Sequence, residues 1–313
     1  MEPAFPSLPP DFLRGKQVVI LGAGYLGSAV GREALAAGAR VTALTRNPER
    51  GAALSAAGAQ VLQAELSGVG WHGTVSPESD YVLDCVGAAG GGLAGYRRSY
   101  VDGLRSILAW SAGTSHPGVL VYTSSTAVYP QDGGVRVAED APTTGGDERA
   151  AVLLEAEELA MTWPGRAVVV RLAGIYGPGR HHLLDTLCAG ADEMPGRGEH
   201  RLNLIHRDDA AALILAAFAR PDVAAGQIFN AADDGAVSKR DVVQWLAARL
   251  GRPAPSFSGN PVAGRRAVTP DRIIDNGKAK RLLGWRPRFP SYREGYAAIV
   301  PGFGVEKRFG ETA

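Results

Sequence analysis

Cysteine is nearly absent from the 313-residue sequence: Cys85 and Cys188 are the only two. A disulfide framework is thereby excluded, and a zinc site would have to be assembled from scattered histidines. A reducing, cytoplasmic setting is expected. Excess charge of one sign is missing as well. Lys and Arg total 33 against 32 Asp and Glu, for a net charge of +1, and no run of five or six like charges occurs. That removes the electrostatic footprint of nucleic-acid or anionic-membrane binding and leaves small molecules as the expected partners. Met1 to Arg14 carries four prolines and no continuous apolar core, so it reads as neither signal peptide nor membrane anchor but as a surface arm. Glycine, by contrast, is abundant at 41 residues, with 45% hydrophobic and 21% charged residues. This composition excludes disordered and collagen-like classes and demands many tight turns. The length suits one large domain or two unequal ones.

Short β-branched runs alternate with helical stretches. Lys16–Leu21, Arg40–Leu44, Gln60–Ala64, Tyr81–Val86, Val119–Thr123 and Ala167–Leu172 read as strands. Ser28–Ala37, Pro48–Ala57, Leu93–Ala112 and Glu148–Met161 read as the helices between them. Continuously apolar strands joined by helices imply a parallel sheet buried on both faces. After Gly174 the pattern loosens, with helices expected at His181–Ala189, Asp208–Ala219, Lys239–Leu250 and Lys278–Leu283. The expected organisation is an arm (1–14), a dinucleotide-binding domain (15–174) and a smaller, substrate-facing C-terminal lobe (175–313) with some elements packing back on the sheet. No internal repeat or low-complexity linker separates them, so the lobes should fold together.

Gly22-Ala23-Gly24-Tyr25-Leu26-Gly27 follows the first strand and opens the first helix. In that context the first glycine makes the tight turn, the second lets the backbone approach a pyrophosphate, and the third lets helix and strand pack closely. The helix N-terminus adds free N–H groups and a positive dipole end. The fold class is therefore α/β, a Rossmann-type doubly wound parallel sheet. An NAD site places an acid at the end of the second strand, but here the residues are Leu44-Thr45-Arg46-Asn47. Arg46 can pair with a 2′-phosphate, so NADP(H) is preferred over NAD(H); the alternative is that Arg46 is a solvated loop charge. Glu65, Val86 and Gly87, beyond the third and fourth strands, complete the candidate cofactor contacts.

Farther on, Tyr122-Thr123-Ser124-Ser125-Thr126-Ala127-Val128-Tyr129-Pro130 resembles the Ser/Thr-rich fifth strand of the extended short-chain dehydrogenase/reductase family. The resemblance recurs in order at Arg171–Gly179, Leu204–Asp209, Gly226–Ala231 and Leu283–Pro287. It implies a nicotinamide dinucleotide as cofactor, Ser125 as the residue that polarises a substrate oxygen, and a homodimer as the oligomeric option. Two departures mark the chain as similar to atypical, epimerase/dehydratase-like subgroups. The family's GxxGxxG becomes GxGxxG, with Leu21 at the first glycine. The catalytic Tyr-x-x-x-Lys is missing: registered on Glu157, the Tyr position holds Arg149 and the Lys position Leu153, and no Tyr occurs between Tyr129 and Tyr176. Thr126 and Ala127 replace the Asp-Glu pair of nucleotide-sugar 4,6-dehydratases, and Gly174 replaces an Asn common in nucleotide-sugar epimerases.

Loss of a general acid/base costs about 10²–10⁴ in rate. Tyr129, Tyr176 and His206 are the groups that the motifs bring toward the same edge, although His206 reads as ordering a loop or capping the helix that begins at Asp208 more than as a base. Arg180, Arg201 and His206 are candidates for meeting an anionic substrate, with solvated loop charge as the alternative for the arginines. For Ser125 the alternative is a strand-end hydroxyl that caps backbone. His181, His182 and Cys188 have no zinc-ligand spacing, and no metal is expected. The expected function is an NADP(H)-dependent oxidoreductase or epimerase-like enzyme on a small or sugar-like substrate; the alternative is a dinucleotide-binding protein with little or no turnover.

Overall fold

The computed structural model describes residues 9, 11–88, 90–260 and 270–307, with side chains to residue 300. Seven strands form one parallel sheet: β1 (Gln17–Leu21), β2 (Arg40–Thr45), β3 (Gln60–Gln63), β4 (Tyr81–Asp84), β5 (Val119–Ser125), β6 (Arg166–Leu172) and β7 (Gln227–Ala231). Their order is β7-β6-β5-β4-β1-β2-β3, so the chain reverses direction across the sheet between β1 and β4. In doubly wound folds that reversal opens the ligand crevice at the carboxyl ends of the strands. The register aligns those ends: Leu21 lies opposite Leu44 on one side and Asp84 on the other.

The apolar runs form strands because both faces are covered. Ile20 faces the core built with α1 (Tyr25–Ala36) and α7 (Arg207–Ala219), and Leu21 faces the one built with α4 (Gly103–Ser111) and α5 (Glu148–Ala160). Both are fully buried, each contributing about 1.5–3 kcal/mol. α2 (Pro48–Ala56) is capped by the Asn47 side chain, which accepts from the Arg50 N–H. A third apolar cluster joins Leu184 and Leu187 of α6 (His182–Cys188) to Val242, Val243 and Leu246 of α9 (Lys239–Arg249) and to Tyr292 and Tyr296 of α11 (Tyr292–Lys307). It gives the C-terminal elements a core of their own. Between them run α8 (Pro221–Ala224) and α10 (Gly277–Leu283).

Three features differ from the sequence reading. The single helix expected over Leu93–Ala112 is α3 (Gly92–Arg97), a π-helical turn (Arg98–Asp102) and then α4, because apolar periodicity does not register the widening of one turn. Gly226–Ala231, read only as a motif, supplies edge strand β7. The arm does not stay on the surface to its end: Leu13 is buried and the Phe12 ring meets Tyr81 edge-on at 6.2 Å. Burial of two apolar side chains favours docking over exposure. Met1–Leu8 and Pro10 lie outside the described residues. Among the described residues no helix is long and apolar enough to cross a membrane.

Candidate functional site

Each glycine of the turn after β1 answers a different steric demand. Gly22 has φ +92°, and a Cβ there would lie 2.8 Å from the Cys85 carbonyl. A Cβ on Gly27 would lie 2.5 Å from the Gly22 oxygen, so the third glycine permits the helix to pack on the turn. The Gly22 and Ala23 N–H groups both donate to the Leu44 carbonyl, at 3.0 and 2.8 Å, tying the turn to β2. Gly24 is different: a Cβ there would meet nothing nearer than the Gly22 oxygen at 3.9 Å. α1 starts at the next residue with no side-chain cap, so its first amides have no capping partner. A cradle that a side chain would fill, ringed by helix-terminal N–H groups, fits the pyrophosphate of a dinucleotide.

Around that cradle, Thr45 is buried at the end of β2, its hydroxyl accepting from the Asn47 N–H at 3.2 Å. Arg46 points across to Glu65, with Nη1 3.2 Å from Oε2 and both side chains about half exposed. Solvent screening makes such a pair weak, so it is easily exchanged. At the end of β4 the Asp84 carboxylate accepts from the Val86 N–H at 3.3 Å. Complete burial pushes the Asp84 carboxyl up to about 7. Gly87 lies exposed beyond it.

Ser125 ends β5 and caps the 3-10 turn Thr126–Val128, its Oγ accepting from the Ala127 N–H at 3.1 Å. The hydroxyl proton still has a donor direction to use. Arg149 stands exposed on the first turn of α5, its guanidinium carbon 5.9 Å from the centre of the Tyr96 ring. Tyr96 in turn packs on Tyr100, ring centres 4.7 Å apart. Leu153 is fully buried in the core, so no amine stands at that position.

The other phenols and the histidine are engaged in the scaffold. Tyr129 is fully buried; its hydroxyl donates to Asn230 Oδ1 at 2.8 Å and accepts from Arg171 Nη1 at 2.8 Å. Arg171 also forms a two-pronged pair with Glu157, at 2.9 and 2.6 Å, and Ser124 donates to the same carboxylate at 2.6 Å. This buried network links β5, α5, β6 and β7. The Tyr176 hydroxyl donates to the Ser291 carbonyl at 3.4 Å, and burial raises its pKa. His206 Nδ1 accepts from the Asp208 N–H at 3.3 Å and caps α7; burial lowers its pKa. Arg201 pairs with Asp271 at 2.6 Å, whereas Arg180 is exposed beside the Tyr25 ring. His181 pairs with Asp185 at 2.9 Å. Among the described residues no group of three His, Cys, Asp or Glu could hold a metal ion.

Sequence reasoning did not select Asp84, Tyr96 or Tyr100. Asp84 is an acid inside an apolar strand, which was the available signal. The approach of Tyr96 to Arg149 depends on tertiary packing and left none.

The chain is 29% identical to Protein YeeZ of Escherichia coli (strain K12) over 181 residues, 55% of this chain and 58% of that protein. It is 29% identical to a 3-diazoavenalumate denitrifying reductase of Streptomyces sp. over 171 residues, 50% of this chain and 54% of that one. The chain thus spans somewhat more than half the length of the curated relatives it matches. Its fold superimposes on the dTDP-glucose 4,6-dehydratase DesIV of Streptomyces venezuelae, a structure with NAD bound, with a TM-score of 0.80 at 21% identity, covering 94% of this chain and 99% of the other. Residues 18–232 match the profile of the NAD dependent epimerase/dehydratase family, and the chain belongs to that family.

Proposed function

We propose that this chain is an NADP(H)-dependent oxidoreductase or epimerase-like enzyme acting on a small or sugar-like substrate. The observation that carries the reading is the cradle at Gly24, backed by a helix terminus and in line with Ser125 on the same sheet edge. Gly22, Gly24 and the amides of Tyr25, Leu26 and Gly27 would hold the pyrophosphate. Thr45, Arg46 and Glu65 would flank the adenosine ribose, and Val86 and Gly87 would line the groove beyond β4. Bound there, a nicotinamide dinucleotide supplies hydride chemistry. The half-exposed Arg46, with no acid at the end of β2, supports recognition of a 2′-phosphate.

For the substrate end, Ser125 would donate its hydroxyl proton to a carbonyl or hydroxyl oxygen. The proton-transfer group we assign is the Tyr96 phenol, a half-buried ring with the Arg149 guanidinium 5.9 Å from its centre. The Arg149 guanidinium orients or neutralises an anion. A relative named as a reductase is consistent with hydride delivery to a small molecule. The reading without turnover draws on the buried Leu153 and on the hydrogen bonds that occupy Tyr129, Tyr176 and His206.

Titration of NADPH and NADH, followed by turnover on a panel of aldehydes, ketones and sugar nucleotides, separates these readings. Tyr96→Phe and Ser125→Ala should each lower kcat by about 10²–10⁴ with NADPH affinity unchanged. NADPH binding without turnover on any member of the panel would favour the cofactor-binding role, and failure to bind either dinucleotide would refute both.

A further inference from the structure

Tyr25, the first residue of α1, borders a second concavity. This cavity of about 220 Å³ lies between α1, α2, the 178–179 loop and the start of α7, and Ser28, Arg32, Arg50 and Arg207 line it with Tyr25. Three guanidiniums surround the phenol ring: Arg207 at 5.2 Å from its centre, Arg180 at 5.5 Å and Arg50 at 5.8 Å. The Tyr25 hydroxyl donates to the Pro178 carbonyl at 3.0 Å, which fixes the ring in place. Arg32 follows on the same face of α1, two turns after Tyr25.

The charges are poorly compensated. Arg207 has a carboxylate, Asp208, at 2.8 Å; among the described residues Arg32, Arg50 and Arg180 have no ion pair. Guanidiniums gathered at one ring repel one another, and the aromatic face offsets only part of that cost. An anion that accepts from several of them at once removes the rest. The planar forks suit an oxyanion with several acceptor oxygens, as in Arg–phosphate pairing. The volume is below the ~300–1,000 Å³ of pockets that enclose a whole small-molecule ligand, so it suits an anionic head group rather than a complete dinucleotide.

We propose that this arginine-lined pocket is a phosphate site that takes a phosphate ester distinct from the dinucleotide, whose 2′-phosphate the proposed function places at Arg46. The site stands on its own geometry and does not depend on turnover.

The test is calorimetric titration with inorganic phosphate at constant ionic strength, on the full chain and on Arg32→Gln/Arg180→Gln. Both side chains are exposed, so the double variant should fold, and its thermal midpoint and NADH affinity serve as the check. Phosphate should bind saturably, and the double variant should lose at least about tenfold in affinity. Arg249→Gln, which removes a charge from α9, should change nothing. Phosphate that competes with neither NADPH nor NADH supports a separate ester; phosphate that competes with NADPH alone would place the cofactor's 2′-phosphate here and overturn the proposal. No saturable binding, or equal loss in Arg249→Gln, overturns the site. Loss of NADH binding by the wild type would overturn the cofactor reading instead and leave the phosphate result to be judged separately.

Discussion

Asp84 should make the protein less stable as pH rises, and Asp84→Asn should remove that loss. Its side chain is buried at the end of β4, with the Val86 N–H as donor at 3.3 Å. Burial pushes its pKa from 3.8 to about 7. About three decades of proton affinity, at roughly 1.4 kcal/mol each, correspond to about 4 kcal/mol. The folded carboxyl holds its proton more tightly than the unfolded one, so this contribution is fully present below about pH 4 and is lost as pH rises through about 7. Asparagine keeps an oxygen for Val86 and carries no charge. The variant should therefore match the wild type near pH 4 and exceed it by up to about 4 kcal/mol at pH 8. Urea unfolding followed by tryptophan fluorescence at pH 4.5, 6 and 8 measures the difference. Buried Asp233, pushed up to about 8, will leave a residual slope in the single variant that Asp84→Asn/Asp233→Asn should reduce further, Glu139 and Asp209 being raised by burial as well. A gain that is the same at pH 4.5 and pH 8, or an Asp84→Asn variant that is less stable at pH 8, would refute the reasoning.

Glu157→Gln leaves the Arg171 guanidinium buried without its carboxylate and should cost about 3–5 kcal/mol in urea unfolding, while Glu155→Gln, which breaks the solvent-exposed pairs with Arg97 and Arg105, should cost under about 1 kcal/mol. Gly24→Val should abolish dinucleotide binding in calorimetry with little change in the thermal midpoint, since the space beside Gly24 is open. Gly22→Val should lower the midpoint itself, because its Cβ would meet the Cys85 backbone at 2.8 Å. UDP-glucose, UDP-galactose and dTDP-sugars should turn over barely above background in a coupled product assay, because position 149 carries no phenol and position 153 no amine, which leaves proton transfer to Tyr96 without a lysine beside it; family-level rates would show that the register on Glu157, or the role given to Arg149, is wrong.

The strands and the glycine turn were legible because their signals are local: an apolar run needs burial on both faces, and Gly22 needs a positive φ. The boundaries of α5, α6, α7 and α9 followed similarly from their patterns. What the sequence did not carry was partnership. Tyr129 sits in a recognisable motif, yet its hydroxyl is committed to Asn230, 101 residues away. His206 is different: its place before Asp208 already reads as a helix cap more than as a base, and it does serve as the N-cap of α7. Tyr96 and Arg149 lie on different helices, and no spacing rule joins them. The helix Tyr292–Lys307 escaped notice because Pro301, Gly302 and Gly304 interrupt its pattern.

The π-helical turn at Arg98–Asp102 has a consequence for how this protein can change. An α-helix advances about 100° per residue, so the one residue that widens the turn acts as a phase shifter between the segment bearing Tyr96 and the segment anchored in the core by Leu104 and Ile107. Deleting a single residue there would restore a regular helix without removing any side chain of the pair, and it would swing Tyr96 away from Arg149 on α5. The aim of the phenol is thus encoded in helix phase, and an insertion or deletion of one residue would act on it where most point substitutions in α4 would not.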